Sequence, residues 1–357
     1  MTQQARQMRQ SHFVVQMKNK RNWLKELKEA RVKKALPILS FPCISLLDVT
    51  VRELISDSSL QAKGMKAIAD KTDAAAAVSF MDLSVEAECF GAEVILSDDE
   101  VPTVKGRIIN GLNAAKALNV PAVGSGRTQI YIDAVKMAAV QICDRPVLAG
   151  MIGPFSLAAR LLDVSEIMMD CYDDPELVHI VLNKATRFLV EYAKAYKAAG
   201  ANGIVMAEPV AGLLSPDLEE AFSSPYVKEI IEKVQDEEFS VIYHNCGDNV
   251  PVMLKSILST GAAAYHFGNT VDLEMDILSR VPVDTVVMGN VDPAGVLRMG
   301  TPESVRKATL SVLEKCTGYP NFVLSSGCDI PPVTPWENID AFFEAWDEFY
   351  GKQQAAF

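Results

Sequence analysis

The stretch Ser240-Val241-Ile242-Tyr243-His244-Asn245-Cys246-Gly247 decides the fold. Its first half is a short apolar run, the kind that a parallel sheet covers on both faces. Its second half puts an imidazole and a thiol where that run ends. On extended backbone residues i and i+2 point to one side, so His244 and Cys246 can face the same object.

Seven more runs of this character flank it, at 37–41, 76–83, 146–152 and 203–207 before it and at 262–267, 285–289 and 321–325 after it. Helical patterns alternate with them at 59–72, 175–199, 225–234, 250–260, 273–280, 301–316 and 335–350. Asp174-Pro175, Ser224-Pro225 and Thr301-Pro302 each join a capping residue to a proline suited to a first helical turn. Eight strands alternating with helices predict an α/β fold, a closed (β/α)8 TIM barrel, over 36–357. Residues 1–35 read as an N-terminal helical extension with Trp23, Leu24, Leu27 and Val32 on one face. The stretch 82–145 is too long for one crossover and predicts an insertion near the barrel mouth, with a hairpin of 92–95 against 101–105. No G-x-G-x-x-G follows the first run, which argues against an open dinucleotide-binding sheet.

The 357 residues are 49% hydrophobic, enough for one barrel-sized core. The formal net charge is −12, which disfavours sequence-independent binding to nucleic acid. No apolar run is long enough to span a bilayer, and residues 1–10 are polar. A cytoplasmic protein with no membrane partner is expected. Seven cysteines at scattered spacings do not read as a disulfide framework.

Barrel chemistry gathers where strands end and the following loops begin. The polar residues at those ends are Asp82, Glu86 and Glu88, then Glu208, then His244 and Cys246, then His266, Asn290 and Asp292, and finally Ser325, Ser326 and Cys328. A thiolate and an imidazole suit a borderline-soft ion, with zinc the default. Cys328 follows Gly327 and leaves the last strand toward the same mouth. Three protein ligands would leave one position open, as catalytic zinc sites do. Read from residues alone, a metal site and a set of buried structural side chains both remain open. Glu208 is a candidate fourth ligand or base, with a capping carboxylate as the plain alternative. Asp82, His266 and Asn290 are candidate substrate contacts. A core histidine and a turn at Asp292-Pro293 are the plain readings of the last strands.

These residues resemble the uroporphyrinogen decarboxylase superfamily, and within it the cobalamin-dependent methyltransferase branch. The resemblance runs from Met81-Asp82-Leu83 and Glu86-Ala87-Glu88 through Gly153-Pro154-Phe155-Ser156-Leu157 and Glu208-Pro209. It continues with His244-Asn245-Cys246-Gly247, Gly289-Asn290-Val291-Asp292-Pro293 and Ser326-Gly327-Cys328. It implies a (β/α)8 barrel, zinc on His244, Cys246 and Cys328, and methyl transfer between a cobalamin and a thiol or another small methyl donor or acceptor. The chain shows no cobalamin-binding segment, so a separate corrinoid protein is the expected partner. The alternative is porphyrinogen decarboxylation, for which Asp82 matches the family's pyrrole-contacting aspartate. Yet Pro37-Ile38-Leu39-Ser40-Phe41-Pro42 lacks the arginines that grip the substrate's carboxylates. A third reading is an inactive barrel that carries a corrinoid protein or a porphyrin.

Overall fold

Apolar runs buried on both faces assemble a strongly curled parallel sheet in the computed structural model, which describes residues 22–355. Among those residues the sheet has seven strands, β1 (Ala77–Val78), β4 (Val147–Ile152), β5 (Gly203–Ala207), β6 (Ser240–Asn245), β7 (Ala264–Phe267), β8 (Val286–Val291) and β9 (Phe322–Ser326). They follow one another in that order, each parallel to the next. Helices connect them, so the architecture is α/β and TIM-barrel-like.

The first of the eight expected strands, 37–41, does not form. Pro37 and Pro42 have no N–H to donate to a ladder, and Phe41–Cys43 closes into a short 3₁₀ turn. The segment nevertheless bridges the two sheet edges. Leu36 N–H donates to the Leu324 carbonyl and Ala75 N–H to the Ala35 carbonyl, both at 2.8 Å. Ile38 N–H turns to Ser326 Oγ at 3.1 Å. The expected strand 76–83 shortens to β1, because the chain turns at Asp82 to enter the helix Val85–Cys89.

Alternate residues of the strands point inward. Leu148, Val205, Ile242, Ala264, Val286 and Val323 belong to one apolar cluster inside the sheet. Trp23 and Leu27, from the helix Trp23–Glu29, join this cluster and are almost fully buried. Burying side chains of this size stabilises the fold by roughly 1.5–3 kcal/mol each. Of the expected extension, residues 1–21 lie outside the described residues, and the backbone after Glu29 is no longer helical.

The insertion contains β2 (Glu93–Ile95) and β3 (Thr103–Lys105), an antiparallel pair with Val94 opposite Val104. The expected helix at 273–280 is a single π-helical turn, Leu273–Leu278, and a second one spans Pro293–Arg298. Asp292 accepts hydrogen bonds from Ala294 and Gly295 N–H, which makes it a turn residue. Among the described residues no helix is long and apolar enough to cross a membrane.

Candidate metal centre

Strand register builds the centre. His244 continues the inward-facing series of β6 two residues after Ile242. It pairs across the ladder with His266 of β7. Asn245 then fixes the turn that follows, with its Oδ1 accepting from Gly247 N–H at 3.0 Å and its Nδ2 donating to the Tyr243 hydroxyl at 3.1 Å. This turn presents Cys246 beside His244. Gly327 ends β9 by donating its N–H to the Val291 carbonyl, and Cys328 follows it into the same space.

One ligand atom from each of His244, Cys246 and Cys328 lies within 4.8 Å of the others. His244 Nε2 is 3.3 Å from Cys328 Sγ. Two sulfurs and one imidazole nitrogen on a shared centre form a group that can hold a metal ion. The hydrogen bond from Cys328 holds the Cys246 thiol well below its ordinary value, against its burial. Cys328 is raised correspondingly. Two cysteine sulfurs and an imidazole nitrogen are a donor set that zinc takes, so the residues present fit that ion.

A backbone approach protects this geometry. A Cβ added at Gly268, just after β7, would sit 2.7 Å from Cys246 Cα. Only glycine lets the two loops come so close. Nothing in the motif around Cys246 signals this contact, because it depends on the β6–β7 register. Asn290 holds the same loop, with Nδ2 donating to the carbonyls of Gly268 at 2.9 Å and Val271 at 3.0 Å.

The other rim residues are committed elsewhere. The Glu208 carboxylate is fully buried and accepts from Phe155 N–H, Ser156 N–H and Ser156 Oγ at 2.7–2.9 Å. It caps the helix Pro154–Leu162, where the N-terminal dipole favours negative charge. Burial pushes its carboxyl up to about 7, against those three bonds. Asp82 meets the Arg127 guanidinium, the Tyr131 hydroxyl at 2.7 Å and Ser84. Arg127 also reaches Glu88 at 2.7 Å and Ser84 Oγ at 2.9 Å. His266 is buried with both ring nitrogens against protein partners.

Glu86 adds an internal titration. Its Oε1 accepts from Ile152 N–H at 3.1 Å, its Oε2 has no partner, and burial pushes its carboxyl up to about 8. The folded state therefore holds a proton that the unfolded chain loses near the ordinary carboxylate value. The resulting stability is complete at low pH and is lost as pH rises toward 8. Glu86→Gln mimics the protonated acid. It is expected to melt like the wild type at pH 4 and to be more stable at pH 9, by about 4 kcal/mol. Equal melting of the two proteins at pH 9 would refute the assignment.

The metal-capable trio opens into a cavity of about 280 Å³, also lined by Met81, Val101, Asp329 and Arg298. Val101 and Glu100 belong to the loop between β2 and β3, so the inserted hairpin forms part of the cavity wall. Arg298 pairs with Glu100 at 2.7 Å.

A family model described as "Uroporphyrinogen decarboxylase (URO-D)" matches residues 44–349. A methylcobamide:CoM methyltransferase, MtbA of Methanosarcina acetivorans, is 29% identical over 269 residues, covering 74% of this chain and 76% of that protein. A uroporphyrinogen decarboxylase of Coxiella burnetii is 27% identical over 300 residues, covering 78% of each. A solved methyltransferase from Methanosarcina mazei superposes with a TM-score of 0.81 at 26% identity, covering 92% of this chain and 97% of that one. A B12-independent methionine synthase from Shewanella shares the fold alone, with a TM-score of 0.61 at 14% identity over 93% of this chain and 100% of that one. Relatives of both activities thus match at similar identity, while the match over most of the length leaves no doubt of descent: the chain belongs to the uroporphyrinogen decarboxylase family.

Proposed function

We propose that this barrel is a zinc-dependent methyltransferase that moves a methyl group between a cobalamin, carried by a corrinoid protein, and a small thiol or related methyl donor or acceptor. The observation that carries the reading is the convergence of His244, Cys246 and Cys328 within 4.8 Å on the wall of a cavity. When bound there, zinc would supply one chemistry, the binding of a substrate sulfur with loss of its proton at neutral pH.

The chain's own residues do the rest. His244, Cys246 and Cys328 would hold the ion and leave one position toward the cavity. Apolar walls from Met81, Leu83, Val101 and Ala207 keep water away from the sulfur. In the thiol-methylating direction, sulfur bonds to the methyl carbon as the carbon–cobalt bond breaks and leaves its electron pair on cobalt. Exposed Leu213, Met299 and Val333, on the loops after β5, β8 and β9, offer apolar contact for the corrinoid partner. We assign Glu208, Asp82 and Asn290 to holding the mouth loops, since their polar atoms already meet protein groups.

The cavity charge favours methyl transfer over porphyrinogen decarboxylation. A tetrapyrrole bearing many carboxylates needs unpaired cations. Among the described residues the one arginine on this wall, Arg298, is paired with Glu100. The test is purified protein supplied with methylcobalamin and a panel of thiols including coenzyme M, run beside an assay with uroporphyrinogen. Demethylation of the cobalamin that depends on both thiol and zinc is expected. Carbon dioxide release from uroporphyrinogen with no methyl transfer would overturn the reading.

A further inference from the structure

We infer that Ser325 and His266 are positioning residues that fix the tautomer of His244, so that its Nε2 lone pair is presented to the metal before any ion arrives. The inference rests on the proposed zinc site and extends it to the side chains behind the ligand. It starts from a partner that cannot change roles, the Leu36 carbonyl. Ser325 Oγ lies 2.6 Å from that oxygen and must donate its single proton there. Toward His266 Nε2, at 2.8 Å, the same hydroxyl can only accept. His266 therefore carries its proton on Nε2 and has a lone pair on Nδ1. That lone pair is 2.8 Å from His244 Nδ1, which must be the protonated nitrogen.

A second acceptor points to the same tautomer. The backbone carbonyl of His266 lies 3.3 Å from His244 Nδ1 and can only accept. With Nδ1 protonated, His244 Nε2 is left as a lone pair, 3.3 Å from Cys328 Sγ. The chain of bonds runs from Leu36, in the segment that bridges the sheet edges, through β9 and β7 to the ligand on β6. Bridging the edges and preparing the ligand are thus one structural event. Groups behind a ligating histidine commonly set its tautomer and ring orientation, and their loss costs about 10–100-fold in metal affinity.

Two readouts test this. In metal-free protein labelled with nitrogen-15 at its four histidines, His244 is expected to show Nδ1 protonated and Nε2 bare. Competition against a chromogenic zinc chelator is expected to show Ser325→Ala binding zinc about 10–100-fold more weakly than wild type, and Ser325→Thr, which keeps the hydroxyl, within about threefold of it. A His244 protonated on Nε2 in the metal-free wild type would overturn the inference. So would a Ser325→Ala protein that folds and keeps wild-type zinc affinity. Should the wild type take up no zinc, the metal reading falls, while the tautomer measurement still decides the relay. The wild-type spectrum needs no variant, so a misfolded Ser325→Ala cannot shield the inference.

Discussion

Cys328→Ala is expected to lose stoichiometric zinc and to slow methyl transfer by about 10³-fold or more, the several kcal/mol that a bound metal supplies to such a step. The reasoning is geometric. Cys328 is the ligand that reaches the centre from β9, whereas His244 and Cys246 come together from β6. Removing it leaves a two-ligand fragment and takes away the hydrogen bond that holds Cys246 low. Cys246→Ala should behave alike. Glu208→Gln is the informative contrast, because its carboxylate caps a helix. It should keep its zinc and pay mainly in stability. Metal analysis of the three purified variants checks this. Full zinc in Cys328→Ala would remove Cys328 from the centre.

Asp82→Ala is expected to destabilise the fold by about 3 kcal/mol, because it takes from the buried Arg127 guanidinium its most deeply buried partner and leaves only the partly exposed Glu88. Arg127 is 9% exposed and makes its contacts with Asp82, Ser84 and Glu88. Arg127→Ala alone should cost a similar amount by stranding Asp82. The double variant should cost clearly less than the sum, since each single change takes from the other group the charge it is buried against. Denaturant unfolding of the four proteins completes the cycle. Additive losses would mean that the pair does not act as a unit.

The parts of this site that follow a local period were legible in the sequence. His244 and Cys246 sit two apart at the end of an apolar run, and strand geometry alone turns both to one side. Cys328 was legible because a barrel gathers strand ends at one mouth. The missing strand at 37–41 was not, because its apolar content hides what Pro37 and Pro42 do to a ladder. The partner of Asp82 was hidden too, since Arg127 lies 45 residues on and only the fold brings it back. Glu208 was correctly placed at a strand end, but its carboxylate turns to a helix N-terminus on the neighbouring connection. Gly153-Pro154-Phe155-Ser156 carried the signal for that, a glycine and proline opening a helix directly after β4. The relay through Ser325 and His266 needed the register of three strands, which no single stretch contains.

The most direct measurement is X-ray absorption at the zinc edge on the purified, zinc-loaded protein. Two sulfur scatterers at about 2.3 Å and one imidazole nitrogen at about 2.0–2.1 Å are expected, with a further light atom that gives way to a third sulfur when a substrate thiol is added. A shell without sulfur, or protein that retains no zinc at all, would contradict a metal centre built from His244, Cys246 and Cys328.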